Sequence, residues 1–179
     1  MFVALELPEP ARATIAAWRD RLVAGRGDLR PVAPEALHVT LAFLAWQDEG
    51  DAESIAEAAF AAAKAVGSPR LRAAGVRPLP PRGPRLFALD LEDEQGRAVE
   101  LQAAVSDALE AGRWYRPEKR PFWPHVTLAR VKRGERAAPL EGPPPPPEPF
   151  EADRVTLYRS TLRPQGALYE PLAATDLRR

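Results

Sequence analysis

The two histidines of this 179-residue chain stand in two copies of one tetrapeptide, His-Val-Thr-Leu, at His38–Leu41 and His125–Leu128. Histidine has an ordinary pKa of about 6.5, so it can release or accept a proton near neutral pH. A single histidine in an apolar strand is more often structural. Two matched copies that use every histidine in the sequence instead indicate an acid and a base built as a pair.

The spacing of these residues suits chemistry at phosphorus. In a β-strand, residues i and i+2 project from the same face, so His38 lies beside Thr40 and His125 beside Thr127. One neutral imidazole can remove a proton from water or a hydroxyl, and one imidazolium can protonate a departing oxygen. The threonine hydroxyls can donate hydrogen bonds to phosphoryl oxygens as charge develops there. The pattern therefore predicts metal-free phosphodiester chemistry.

A metal centre is the alternative use of two histidines. Two imidazoles without a nearby Asp, Glu or Cys at ligand spacing make a poor zinc site. The sequence has no cysteine, which also excludes disulfides and thiolate catalysis. We therefore expect neither a metal nor another cofactor.

The charge distribution indicates where a polyanion would bind. The formal net charge is zero, which argues against non-specific coating of nucleic acid. The segment 113–136 nevertheless carries eight basic and two acidic residues, and such a patch can concentrate a polyanionic substrate. A solvated basic surface is the alternative interpretation.

The remaining composition predicts a compact protein without membrane contact. No apolar run approaches the length of a membrane span. The first residues, with Glu6 among them, resemble a strand and not a signal peptide. We expect a monomer in the cytoplasm.

Hydrophobic periodicity and turn residues predict interleaved helices and strands. The expected helices cover 10–23, 48–66 and 95–111. The expected strands cover 2–7, 37–44, 71–76, 85–91, 123–131, 155–162 and 168–172. The two motif strands occupy corresponding places in the two halves, which predicts one domain, 1–179, with two related lobes. The run Pro143–Pro147 indicates a stiff loop between strands, with a ligand for a proline-recognition domain as the alternative.

The motif pair resembles that of the two-histidine (2H) phosphoesterase superfamily. The flanking sequence is similar to one branch of it, the RNA 2′,3′-cyclic phosphodiesterases, also called 2′-5′ RNA ligases. The similar blocks are Met1–Leu5, Arg30–Leu44, Pro121–Arg130, Leu157–Leu162 and Gly166–Tyr169.

This resemblance implies an α+β fold that is bilobal, with two pseudo-symmetric antiparallel sheets flanked by helices around a central cleft. It also implies hydrolysis of 2′,3′-cyclic phosphate ends of RNA, tRNA fragments among them, to 2′-phosphates, together with 2′-5′ ligation. On the matching positions, His38 would be the proton donor to the 3′ oxygen and His125 the proton acceptor from water. Thr40 and Thr127 would hold the phosphate. The residue types alone leave open which histidine plays which role.

One further position follows each histidine at the same offset of five residues, Phe43 after His38 and Arg130 after His125. The resemblance implies that Phe43 stacks on the terminal base and that Arg130 contacts the phosphate. Simple alternation places such a residue on the face opposite its histidine. Either the strand ends or bends there, or these side chains do not reach the site, in which case Phe43 packs in the core.

Other aromatic residues and one departure from the family pattern concern the cleft mouth. Tyr115, Phe122 and Trp123 could stack on bases or pack in the core. Ala45 and Trp46 stand where the family pattern leads us to expect glycine.

Two other functions remain open. The substrate could be ADP-ribose 1″,2″-cyclic phosphate or another small nucleotide. The chain could also be a non-catalytic binder of RNA ends.

Overall fold

The computed structural model describes residues 1–163 and 166–178. Within these residues the helices are α1 (Glu9–Val23), α2 (Ala52–Val66) and α3 (Arg97–Ala111). The described strands are β1 (Phe2–Glu6), β2 (Leu29–Pro31), β3 (His38–Phe43), β4 (Arg70–Leu79), β5 (Leu86–Asp93), β6 (His125–Val131), β7 (Phe150–Glu151), β8 (Arg154–Arg163) and β9 (Gly166–Asp176). None of the helices described has the length and apolar character needed to cross a membrane.

The strands form an antiparallel sheet in the order β7-β4-β5-β6-β3-β1-β8-β9, with β2 also pairing with β6. The motif strands β3 and β6 are therefore the innermost strands of two four-stranded halves. They pair with each other at Val39 and Val126. The predicted α+β class with pseudo-symmetric antiparallel halves is confirmed, and the two predicted sheets are joined along this pair.

Alternation along the motif strands anchors them in the core. Val39 and Leu41 are almost completely buried, and Val126 and Leu128 are fully buried. Burying an aliphatic side chain of this size stabilises a protein by about 1.5–3 kcal/mol. These four anchors fix the backbone from which the intervening His and Thr side chains project.

The predicted helices and strands are present, and two strands are additional. β2 and β7 have three and two residues, which is too short for a periodic pattern to reveal. The run Pro143–Pro147 lies in the connection between β6 and β7, as predicted. The indole of Trp18 on α1 donates a hydrogen bond to the carbonyl of Pro143 over 3.0 Å, which ties this connection to the helix.

Candidate active site

The two motifs present their histidines in the same way. Nδ1 of His38 lies 2.8 Å from the carbonyl oxygen of Ala36, and Nδ1 of His125 lies 2.8 Å from that of Trp123. A carbonyl oxygen can only accept, so both Nδ1 atoms carry the proton in the neutral rings. Nε2 is then the basic nitrogen of each imidazole, and it is the atom available for proton transfer.

Different aromatic residues hold the two imidazoles. The ring of His38 stacks on Phe2 with centroids 5.0 Å apart and meets Tyr169 edge-on at 5.4 Å. The ring of His125 stacks on Trp123 at 4.1 Å with an interplanar angle of 12°. Trp123, which the sequence placed either in the core or against a base, is thus a support for His125. The packing restricts both rings to one orientation.

Burial lowers the pKa of His38 to about 4. The hydrogen bond to the Ala36 carbonyl and the negative charge of Glu6 oppose this shift, whereas the positive charges of His125 and Arg130 add to it. His38 is therefore neutral at pH 7 when no anion is bound. An anionic phosphate in contact with the ring would favour the imidazolium and raise the pKa.

Each histidine faces a carboxylate on the neighbouring strand. His38 is directly opposite Glu6 of β1, and His125 is directly opposite Asp90 of β5. Directly opposite residues in an antiparallel pair share a face. The sequence analysis missed both carboxylates, because their relation to the histidines depends on strand register.

The two carboxylates are themselves held by hydrogen bonds. Glu6 Oε1 accepts from the hydroxyl of Tyr158 at 2.9 Å and from the hydroxyl of Thr156. Asp90 Oδ2 accepts from Nε and NH2 of Arg77 at 3.1 and 2.8 Å. The Arg77 guanidinium also lies over the Trp123 ring, 4.7 Å from its centroid. Both histidines therefore have a fixed negative neighbour.

A β-bulge in β3 brings Phe43 to the cleft. The pairing of β3 with β1 skips Leu41, since Thr40 and Ala42 face consecutive residues of β1. One extra residue reverses the alternation beyond it. Phe43 therefore returns to the face of His38, where its side chain is 61% exposed.

β6 carries the same bulge at the equivalent position. Its pairing with β5 skips Leu128, since Thr127 and Ala129 face consecutive residues of β5. Arg130 consequently returns to the face of His125. Of the alternatives left open by alternation, the structure shows that the strands bend.

A cavity of about 140 Å³ lies over this face. Five of the six predicted site residues line it, namely His38, Thr40, Phe43, Thr127 and Arg130. The sixth, His125, is not part of the lining; it lies two residues before Thr127 on β6. The lining also contains Phe2, Ser160 and Tyr169, which the sequence did not single out. Tyr115 and Phe122 are partly buried against the core. Residues 1–163 and 166–178 contain no group of three or more metal-ligating side chains that could hold an ion.

Acidification is expected to destabilise the protein through His38. The unfolded chain binds a proton at this residue with a pKa near 6.5, whereas the folded chain does so only near 4. Between these values the unfolded state holds more protons, so the free energy of unfolding falls as the pH falls. We expect the free energy of unfolding of His38→Gln to fall less than that of the wild type between pH 7 and pH 4, by on the order of 2 kcal/mol.

Urea unfolding of the wild type and H38Q at about pH 4 and pH 7 measures this contribution. The carboxylates titrate in both proteins, so the difference between the two pH dependences isolates His38. An identical loss of stability in the two proteins would show that His38 titrates normally in the folded state.

Known proteins are similar to this chain in sequence and in fold. The 2′-5′ RNA ligase superfamily matches residues 7–163. A Thermus thermophilus protein named RNA 2′,3′-cyclic phosphodiesterase is 34% identical over an alignment of 185 positions, gaps included. The alignment covers 99% of this chain and 90% of the relative. The crystal structure of TT0787 of Thermus thermophilus has a TM-score of 0.76 at 31% identity, covering 99% of this chain and 97% of that chain. E. coli LigT complexed with 3′-AMP has a TM-score of 0.75 at 26% identity, with the same coverage.

The antiparallel sheet that carries the two His-x-Thr strands has the fold of the LigT-like two-histidine phosphoesterases. The chain belongs to the 2′-5′ RNA ligase superfamily. The family predicted from the motif pair and its flanking blocks is thereby confirmed.

Proposed function

We propose that this enzyme hydrolyses the 2′,3′-cyclic phosphate at the end of an RNA chain to a 2′-phosphomonoester, without a metal ion. The observation that carries the proposal is the matched pair of Nδ1–carbonyl hydrogen bonds. They leave two basic Nε2 atoms on the cleft face of adjacent strands. The names of the relatives support the choice of substrate.

In the proposed reaction the two histidines act in opposite protonation states. Nε2 of His125 takes a proton from water as the water oxygen forms a bond to phosphorus. The bond from phosphorus to the 3′ oxygen breaks, and protonated His38 delivers its Nε2 proton to that oxygen. Solvent exchange then restores the starting states. A 5′-hydroxyl in the place of water would form a 2′-5′ linkage by the same steps.

For His38 to act as the acid, binding of the substrate has to convert its imidazole ring from the neutral form to the imidazolium. Burial keeps the pKa of the free residue at about 4, so the bound phosphate must supply the negative charge that favours the imidazolium. Glu6, opposite His38 on β1, adds to this field. Product release then returns the ring to its neutral form.

Three side chains are proposed to bind the phosphate. The hydroxyls of Thr40 and Thr127 and the guanidinium of Arg130 line the same cavity. Donors fixed on rigid strands stabilise the charge of the pentacoordinate transition state at little reorganisation cost. Phe43, at the mouth of the cavity, is proposed to stack on the terminal base.

The test is turnover in the presence of a chelator. With excess EDTA, we expect an RNA oligonucleotide ending in a 2′,3′-cyclic phosphate to be opened at an undiminished rate, because the protein supplies both proton transfers. Loss of turnover with EDTA, restored by added zinc, would contradict the metal-free mechanism.

Comparison substrates distinguish the remaining alternatives. A strong preference for ADP-ribose 1″,2″-cyclic phosphate or a cyclic mononucleotide would make the chain a small-nucleotide enzyme. Tight binding of the RNA end without turnover over many hours would make it a non-catalytic binder. Four statements stay predictions: that the enzyme uses tRNA fragments, that it is a monomer, that it is a single domain and that it is located in the cytoplasm.

A further inference from the structure

Trp46 presents its side chain to solvent beside the candidate active site. Its side chain is 84% exposed, which is unusual for an indole because tryptophan is highly buried on average. It follows Phe43 by three residues, so the two Cα atoms lie within about 11 Å of each other. A solvent-facing indole at this distance from the cleft is placed to contact a substrate that extends beyond it.

The backbone around Trp46 is fixed. The N-terminal ammonium of Met1 donates to the carbonyl of Ala45 at 2.6 Å, and the amide of Leu44 donates to the carbonyl of Met1 at 3.0 Å. Nε2 of Gln47 donates to the carbonyl of Leu44 at 2.6 Å. The exposed indole is thus carried by a loop whose backbone is held by hydrogen bonds on both sides of Trp46.

Ala45 has a φ of 57°, a left-handed conformation that costs energy for a residue with a Cβ. Glycine would adopt it without that cost. The strained residue thus stands immediately before the exposed indole. Strain of this kind is found at ligand sites, where the surrounding structure enforces it.

The same loop adjoins a basic segment. Nε2 of Gln47 also donates to the carbonyl of Trp114 at 3.1 Å. That carbonyl belongs to the connection from α3 to β6, which carries four exposed cations, Arg113, Arg116, Lys119 and Arg120, and one exposed carboxylate, Glu118. Single-stranded nucleic acid is bound by this combination of a stacking surface and positive charge.

We propose that Trp46 stacks on the base of the nucleotide preceding the terminal one, while the basic connection contacts its phosphates. The proposal rests on the proposed function, since it takes the terminal cyclic phosphate to occupy the cavity. It makes single-stranded RNA, and not a mononucleotide, the preferred substrate. Stacking recognises any base by its π-face, so the site would select for chain length and not for sequence.

Trp46→Ala tests the proposal with two substrates, a 2′,3′-cyclic AMP mononucleotide and an RNA trinucleotide with a 2′,3′-cyclic phosphate end. We expect W46A to raise KM for the trinucleotide by about tenfold relative to the mononucleotide, with kcat maintained. Trp46→Phe retains an aromatic face and should keep most of the preference. Val99→Ala, at an exposed apolar position on α3, is the matched control. It should leave KM and kcat unchanged for both substrates.

Equal effects of W46A on both substrates, or no effect on either, would overturn the proposal. Binding of an all-RNA trinucleotide with a 2′-phosphate end, followed by tryptophan fluorescence, separates this proposal from the proposed function. If the wild type turns over neither substrate, the proposed function fails, and quenching present in the wild type but absent in W46F still supports stacking. Equal quenching in the wild type and W46F would overturn the stacking proposal. So would a wild-type dimer that W46A dissociates while RNA binding is unchanged, because Trp46 would then serve a protein interface.

Discussion

Replacing His125 by alanine is expected to lower kcat/KM for an RNA 2′,3′-cyclic phosphate by about 10²–10⁴-fold. The variant has no side chain to accept the proton of the attacking water at the position where Nε2 of His125 stands. His38→Ala should cause a loss of similar size, because the 3′ oxygen would then leave as an unprotonated alkoxide. Initial rates at pH 7 with the purified variants measure both losses.

A substrate with sulfur in place of the bridging 3′ oxygen separates the two roles. A thiolate leaves without protonation, so H38A should recover most of its activity with this substrate. H125A should not recover, since the nucleophile still has to be activated. Recovery of H125A alone would exchange the assigned roles, and unchanged activity of either variant on the natural substrate would contradict the acid–base pair. Circular dichroism establishes that both variants are folded.

The double variant Thr40→Val and Thr127→Val is expected to lose about 10²–10⁴-fold in kcat/KM. A hydrogen bond to a charged group contributes about 1.5–3 kcal/mol, and each factor of ten in rate corresponds to about 1.4 kcal/mol. Valine keeps the shape and β-branching of threonine, so the strands should retain their packing. Steady-state kinetics of the two single variants and the double variant give each contribution.

Thr14→Val provides the control for this series. The hydroxyl of Thr14 donates to the carbonyl of Pro10 within α1 at 2.9 Å, on an exposed part of the molecule away from the cavity. Its removal should leave the kinetics unchanged. Wild-type kinetics in the double variant would show that the two hydroxyls do not hold the phosphate.

The sequence was informative about the site where the chemistry depends on short-range spacing. The i, i+2 relation of His38 and Thr40 survives in the structure because both lie on one strand. The apolar Val39 and Leu41, which alternate with these two residues, made that strand recognisable. The helices were predicted well for the same reason, since periodicity and glycine or proline boundaries are local signals.

Features set by pairing between distant strands were not predictable. Whether Phe43 faces the cleft depends on an extra residue at Leu41, which is visible only in the register with β1. The carboxylates of Glu6 and Asp90 stand beside the histidines for the same reason. No periodic pattern in one strand contains this information.

The exposure of Trp46 could likewise not be predicted from local sequence patterns. Ala45 and Trp46 depart from the glycine that the family pattern predicts, but an indole is on average highly buried, so the sequence alone favours a core position. The loop that carries it is held by the hydrogen bond from the Met1 ammonium to the carbonyl of Ala45, which joins residues 44 apart in the chain.

The central claim, that paired histidines open the cyclic phosphate at the 3′ oxygen without metal, is tested most directly by identifying the product. An RNA trinucleotide ending in a 2′,3′-cyclic phosphate, incubated with the enzyme in EDTA, is analysed by phosphorus NMR. We predict complete conversion to the 2′-phosphomonoester. A 3′-phosphomonoester, or a cyclic phosphate that persists unchanged, would contradict it.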